Sequence, residues 1–516
     1  MTHHTHAPSH APSAAGAQPH PATQIQAQTV AAPAPTSRRY VLIMLTALSA
    51  LTFMDRQVLA VLLEPIKQEF GFTDLQIGLI SGLGFALTFG VLGLPLGRLA
   101  DRCERRSLIA WTRGIGGCIA ISGAWASGLG GLMVSRAGAA LSDAGGGAAS
   151  MSILADLYAP SERSRVMSVF GVGATSGALL ALLLAPLFAS WWGWRGTLAV
   201  IGGALLLLSV VLRFSTTEPL RTMAHRPAAQ AHATASAAPR SAVAQIWAEP
   251  VTRWLIVGAS CALLAGLSIG AWNVALLVRR FDFSLTQAGW LSALAALLSL
   301  LGSLFAGWLT DRLARHDVRW QIRIPVLGVG VAMLSGLAYL SLSNDWLWPA
   351  LACMLVYAFF TAWWGPATYA ALSLVVPAYR RATASAMVLM AGALLGNGLG
   401  PIAAGWLSDA LNPLLQGQGL RGALLLMMGM LLPGFWAFVQ ALRHYPQALE
   451  QAQRLYASTP DTAAGAAASA APTDATATPA PAPAPAPIEP ATPATPVAPV
   501  TRASTSHPAS HSSTPS

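Results

Sequence analysis

The sequence predicts an all-α membrane protein of about twelve transmembrane helices, arranged as two six-helix halves. Three observations carry this. Only 10% of the 516 residues are charged while 54% are hydrophobic, and the mean hydropathy is +0.54; a soluble domain carries about a quarter charged residues. Long apolar stretches recur along the chain, each close to the roughly 20 residues that cross a bilayer as a helix. Charged motifs then recur at matching places in the two halves. A soluble enzyme, a disordered chain and a secreted disulfide scaffold are excluded. Helices are chosen because every backbone group in lipid must be bonded within its own segment.

In chain order, residues 1–38 are His-, Pro- and Ala-rich and read as a disordered cytoplasmic tail. They hold no apolar run of the kind that forms a signal peptide, so the first apolar helix is expected to stay as an uncleaved span. Spans are expected at about 39–63, 75–98, 107–128, 131–156, 165–190 and 195–214 in a first bundle (39–214). The polar stretch 215–250, with Arg221, Arg226 and Arg240, reads as a cytoplasmic linker. A second bundle (251–442) holds spans at about 251–277, 286–310, 321–343, 346–375, 382–410 and 420–442. Pro95, Pro186, Pro366 and Pro401 fall inside spans, where proline kinks a helix. Residues 443–516 carry an Ala/Pro tract and read as a second disordered cytoplasmic tail, too polar and too simple to bury a core.

Charge sets the expected orientation. With both termini inside, 22 of the 30 basic residues face the cytoplasm. Five face outward (Lys67, Arg195, Arg279, Arg280, Arg421) and three lie in the membrane (Arg56, Arg113, Arg136). This bias is the positive-inside pattern of an inner or plasma membrane protein. Trp191, Trp192, Trp194, Trp346 and Trp348 are expected in an outer interfacial belt. The net charge of +10 does not mark a nucleic-acid binder, because the arginines are spread over short loops rather than gathered in one patch. The four cysteines are scattered and form no metal or disulfide pattern. No metal, cofactor or ATP-binding loop is expected, so the chain is not read as an enzyme.

The halves repeat. Gly97-Arg-Leu-Ala-Asp101-Arg102 follows the second span and Gly307-Trp-Leu-Thr-Asp311-Arg312 follows the eighth. Pro160-Ser-Glu-Arg163 and Pro377-Ala-Tyr-Arg380 follow the fourth and tenth. A duplicated six-helix unit usually encloses a midplane site about which the halves rock.

The stretch Gly97-Arg98-Leu99-Ala100-Asp101-Arg102-Cys103-Glu104-Arg105-Arg106 resembles the loop signature of the major facilitator superfamily, with Glu104 where glycine is usual. Within that superfamily the chain is similar to the spinster-like branch. The similarity rests on Met54-Asp55-Arg56, on Arg136 with Ser142-Asp143-Ala144, on Gly193-Trp194-Arg195, on Gly398-Leu-Gly-Pro401 and on Leu407-Ser-Asp409. The branch usually has Gly-Glu-Ala where this chain has Ser142-Asp143-Ala144. The resemblance implies the major facilitator fold, with spans 1, 4, 7 and 10 lining a cavity. It also implies a cytoplasmic gate built from Gly97, Asp101, Arg102, Arg105 and Arg106, with Asp311 and Arg312 as the second copy. In that gate Asp101 faces the start of span 11 and Arg105 pairs with Asp156.

Charges at the centre of a span cost roughly 2.5–3.5 kcal/mol each, so they should face the interior and pair. Asp55, Arg136 and Asp143 are expected to share one layer between spans 1 and 4, with Arg136 holding Asp143 or an anionic cargo. Arg56 is also assigned to this proton and substrate site, although it points about 100° from Asp55. Arg113 is expected to snorkel to the cytoplasm. No histidine lies inside a span, so the aspartates are the expected proton carriers. Trp272 and Asn273 of span 7, and Tyr357, Phe360, Trp364 and Thr368 on one face of span 10, form an expected aromatic cavity wall.

The expected function is secondary transport by alternating access, coupled to protons. The expected cargo is an amphipathic lysolipid-like, sphingolipid-like or organic-anion substrate. A carrier of small organic acids or drugs is the alternative, and a transport-dead membrane sensor the third reading. The expected partners are the small-molecule or lipid-like substrate, protons and membrane lipids; a monomer is expected.

Overall fold

The structure, a computed structural model, describes residues 37–217, 239–376 and 380–457, which are helices joined by short turns. The tails and most of the linker lie outside the described residues, as do Pro377, Ala378 and Tyr379 of the second proline motif. The N-terminal half comprises α1 (Arg38–Phe70), α2 (Asp74–Arg102), α3 (Arg105–Ser122), α4 (Leu129–Leu157) and α5 (Pro160–Ser215). After a short helix in the linker, α6 (Pro239–Ala248), the C-terminal half begins with α7 (Pro250–Phe281), α8 (Leu285–Ala314) and α9 (Trp320–Ser341). It continues with α10 (Leu347–Thr361), α11 (Trp364–Val375) and α12 (Arg381–Ala391). A π-helical stretch (Gly392–Leu399), α13 (Gly400–Leu411), α14 (Gly419–Gly429) and α15 (Leu431–Ala457) complete it.

Nine stretches of the described residues are long and apolar enough to cross a membrane. One of these, in α5, holds two crossings. They join at Gly193, whose φ of 66° is accessible to glycine and unfavourable for a residue with a Cβ. With α3 and α4, whose arginines, glycines and serines dilute their apolarity, the chain makes twelve passes, as expected. The tenth and eleventh passes are each interrupted. The tenth breaks at Ala362, and the eleventh loosens into the π-helix before Pro401. Two expected limits move. α6 forms inside the stretch read as linker, and α15 continues to Ala457, well past 442.

The face carrying the start of α1 and the end of α15 is called proximal here, and the opposite face distal. On the distal face the two halves show a further repeat. Gly71-Phe-Thr73-Asp-Leu-Gln76-Ile-Gly78 and Asp282-Phe-Ser284-Leu-Thr-Gln287-Ala-Gly289 adopt the same turn. Gly71 and Asp282 are both left-handed and end a helix, and Thr73–Gln76 and Ser284–Gln287 both form capping boxes that start the next. The repeat extends to packing. A Cβ on Gly78 would lie 2.5 Å from the Pro401 carbonyl of α13, and one on Gly289 would lie 2.5 Å from the Pro186 ring of α5. The halves therefore meet along two related seams, α2 against α13 and α8 against α5.

Gly82 sits one turn beyond Gly78, and a Cβ there would collide with the backbone carbonyl of Gly398. Backbone cannot rotate away as a side chain can. Gly82→Leu is expected to wedge α2 away from the π-helix and the start of α13 at a cost of roughly 1–3 kcal/mol. Electron-paramagnetic distances between labels on α2 and α13 should lengthen; an unchanged distance distribution would refute the close-packed seam.

Candidate functional site

Between the halves lies a cavity of about 120 Å³. Arg56 and Gln57 of α1, Ser81 and Phe85 of α2, and Arg136 of α4 form its N-terminal wall. Leu267, Gly270 and Ala271 of α7, Asn397 of the π-helix and Pro401 of α13 form the other. The π-helical turn brings Asn397 to this wall, with its amide donating to the Gly392 carbonyl at 3.1 Å. Such wide turns are frequent at functional sites.

The membrane charges converge here, with partners that differ from the expected ones. Arg136 is 5% exposed and donates from both Nη atoms to backbone carbonyls of α1: Asp55 at 3.0 Å and Arg56 at 2.9 Å. It does not hold Asp143. That carboxylate pairs with Arg56 at 3.3 Å. Arg56 stays inside the bundle; its guanidinium lies over the Phe85 ring at 4.4 Å and 5.7 Å from Phe53. Asp55 is 2% exposed, and its Oδ2 has no hydrogen-bond partner among the described residues. The reason for the exchange of partners is geometric. Arg136 points back along α4 toward the backbone of α1, so the carboxylate two turns down is left to Arg56, the next residue round α1.

Arg113 also departs from expectation. It is 2% exposed and packs against Gly146 of α4, whose missing side chain makes the space. Together Asp55, Arg56, Arg113, Arg136 and Asp143 place three cations and two carboxylates in the N-terminal half, an excess of one positive charge when all are ionised.

A second, apolar cleft of about 400 Å³ opens between α1, α5, α8 and Ala362, lined by Phe53, Thr175, Leu179, Leu297 and Leu300 among others. Phe53 is shared: it lines this cleft and is the ring beside Arg56.

The expected aromatic wall is placed differently. Trp272 is wholly buried, and its indole donates to the Pro401 carbonyl at 3.2 Å, tying α7 to α13. Asn273 is buried within the C-terminal half, donating to Ser292 at 2.8 Å and accepting from Tyr339 at 3.2 Å. Neither lines the central cavity. In the tenth pass the break at Ala362 disrupts the face shared by Tyr357, Phe360, Trp364 and Thr368. Phe360 instead stacks at 4.5 Å on Trp363, which packs in turn on Phe305 of α8, while Tyr357 and Thr368 are buried.

At the proximal face, Arg105 of α3 pairs with Asp156 of α4 at 2.6 Å and donates to Ser152 at 2.8 Å. This pair lies within the N-terminal half. Arg106 is held by Glu104 at 2.5 Å and by the Thr216 carbonyl. The Ser107 hydroxyl and the Arg106 guanidinium hold the Glu104 carboxyl below its usual range, so the residue in the glycine position adds a charge to the turn. Gly97 lies in the last turns of α2. Arg102, Asp311 and Arg312 are exposed, and Arg312 lies 5.5 Å from the Trp308 ring. The side chain of Asp101 lies outside the described residues.

The distal face holds a lock that the sequence reading missed. Asp74 accepts from Lys67 at 2.5 Å, from Arg279 of α7 at 2.8 Å and from Ser408 of α13 at 2.6 Å. Arg279 also pairs with Glu64 of α1 at 2.7 Å. Asp409 accepts the backbone N–H groups of Asp74 at 2.9 Å and Leu75 at 2.7 Å, placing a carboxylate on the positive end of α2. Nearby, Trp194 and Arg195 both donate to Glu69, so Trp194 is buried under the distal surface. Trp191, Trp192, Trp346 and Trp348 are exposed, as a belt requires. The available signal for the lock was the pair of acids, Glu64 and Asp74, flanking the first distal turn, facing an arginine and a Ser-Asp step in the other half.

The chain matches the Major Facilitator Superfamily over two overlapping stretches, residues 45–394 and 263–490. It is 31% identical over 388 residues to an MFS-type efflux pump of Mycolicibacterium smegmatis, covering 74% of this chain and 87% of that one. It is 23% identical over 396 residues to protein spinster homolog 1 of Xenopus laevis, covering 72% and 73%. Among solved structures it is similar to a bacterial homolog of the human lysosomal transporter Spinster in an inward-facing, unoccupied conformation. The TM-score is 0.71 at 23% identity, over 80% of this chain and 98% of that one.

Proposed function

This chain belongs to the major facilitator superfamily and is a multi-pass secondary transporter, and we propose that it carries an amphipathic organic anion, coupled to protons, by alternating access. One observation carries the reading: Arg56 lines the small, partly polar central cavity and lies 5.7 Å from the ring of Phe53, which lines the larger apolar cleft. A headgroup-sized anion fits the 120 Å³ beside Arg56, and an apolar chain continues past Phe53 into the 400 Å³ cleft. The excess positive charge of the buried cluster favours an anion over a cation. A lysolipid-like or sphingolipid-like phosphate has this shape.

In this reading the proximal face is cytoplasmic, the membrane is a bacterial inner membrane, and the distal lock holds an inward-open state. Anion binding competes with Asp143 for Arg56. The freed carboxylate takes a proton, and loss of its ion pair lets α1 shift against α4. Asp55, buried without a partner for Oδ2, is the second proton carrier. The small, partly polar cavity supports a second reading, a carrier of small organic acids or drugs; the Mycolicibacterium relative named as an efflux pump points the same way, with export as the direction.

The test is flux of a lysophospholipid with an anionic headgroup into proteoliposomes under an imposed pH gradient. Wild-type flux should follow the gradient, and Asp143→Asn should remove that dependence while retaining binding. Flux indifferent to the gradient would end the proton reading. Binding of short organic acids with no response to lysolipids would replace the amphipath by the second reading.

A further inference from the structure

On the lipid-facing side of the N-terminal half, away from the central cavity, α3 and the second limb of α5 form another recess. The two helices touch closely at Gly117 and Gly202, where a Cβ on either would lie 2.8–2.9 Å from the other's carbonyl. Toward the proximal face they diverge. A Cβ on Gly114 would meet nothing nearer than Leu206 and Ser209, each at 3.8 Å. The result is a groove of about 430 Å³. Gly114 and Leu206 lie in its floor, and Trp111, Ile115, Cys118 and Val210 also line it. Along α3, from Ala110 to Ser122, it spans about 18 Å at 1.5 Å per residue.

Arg213 lines the groove near its proximal end beside the exposed ring of Phe214. Glu104 feels the charge of Arg213, but its carboxylate is already bonded to Arg106 and Ser107. Among the described side chains of this cluster, Arg106 and Arg213 against Glu104 make two cations to one anion, and Arg213 is the charged residue that lines the groove. Trp111, 66% exposed, walls the groove about six residues into α3, near headgroup depth.

We propose that this groove is a binding site for one anionic phospholipid of the proximal leaflet, with an acyl chain between α3 and α5 and the phosphate on Arg213. The occupant follows from the surroundings. The groove faces the bilayer, its walls are apolar over the depth of one leaflet, and the surplus charge sits only at the headgroup end. A neutral lipid would fill the same space without using that charge, and a zwitterionic phospholipid would bring an ammonium along with its phosphate to an already positive mouth. The site is separate from the transport cavity and stands whether or not the transported substrate is an amphipathic anion.

The test uses the full-length protein reconstituted with equal amounts of phosphatidylglycerol and phosphatidylethanolamine. Co-purified lipid is then counted by mass spectrometry of the intact complex. One basic residue at a membrane surface is worth about 1 kcal/mol, so wild type should retain phosphatidylglycerol about fivefold over phosphatidylethanolamine. Arg213→Gln should equalise the two lipids. Gly114→Leu, which fills the floor, should lower both. Arg319→Gln, an exposed proximal arginine elsewhere, should leave the preference intact. Because Arg213 is only partly buried and lines an open groove, its variant is expected to keep the wild-type melting temperature. A preference that survives Arg213→Gln, or that falls equally with Arg319→Gln, overturns the proposal.

Discussion

Arg279→Gln is expected to open the distal face. Arg279 is the residue of the C-terminal half that pairs with both Glu64 and Asp74, so its loss takes the cation from the buried side of Glu64 and leaves Asp74 to Lys67 and Ser408. Removing one partner of a buried pair costs up to 3–5 kcal/mol; partial exposure lowers this to about 2 kcal/mol, or roughly thirtyfold in the ratio of states. The readout is labelling of Gln57→Cys, a cavity residue, by a membrane-impermeant maleimide added from the distal side of a cysteine-free background. Labelling should rise at least tenfold. Glu64→Gln, which removes one acceptor but leaves Arg279 on Asp74, should have a smaller effect. Equal labelling of Arg279→Gln and wild type would show that the lock does not hold the halves together.

Arg136→Leu should remove transport altogether, by at least a hundredfold, and weaken the fold. Its two backbone hydrogen bonds tie α4 to α1 at the floor of the cavity, and its charge compensates the buried Asp55. Because Arg136 bonds to the backbone rather than to the Asp55 carboxylate, the cost falls below the about 3–5 kcal/mol of breaking a buried ion pair. Two further variants separate fold from function. Arg136→Lys keeps the charge but lacks the fork that reaches two carbonyls at once, so flux should stay low while stability partly returns. Pairing Arg136→Leu with Asp55→Leu removes both charges and should restore much of the melting temperature without restoring flux. Full flux in Arg136→Lys would show that a point charge suffices and that the fixed geometry is unimportant.

How legible the site was depended on the kind of contact. That Asp55, Arg56, Arg136 and Asp143 lie near one another followed from the cost of membrane charge and the helical repeat, both properties of sequence spacing. Their pairing did not follow. Arg136 can choose between a side-chain acceptor and the backbone of a neighbouring helix, and only the separation of α1 from α4 settles that in favour of the carbonyls. Arg113 was misplaced for a related reason: the space for it is made by Gly146, a residue that carries no chemical signal of its own. The face assumed for Tyr357 to Thr368 required an unbroken helix, and the turn at Ala362 removes it.

Composition and periodicity alone determined the number of passes, because the bilayer imposes a span length on any chain of this kind, and the repeated loop motifs showed the duplication. Only the tertiary structure decided which surfaces of the two halves meet. Ser408 and Asp409 are more than 330 residues from Asp74, and nothing local ties them to it. Close approach along glycine-faced helices sets that contact, and an approach of ångströms between distant segments is a property of packing.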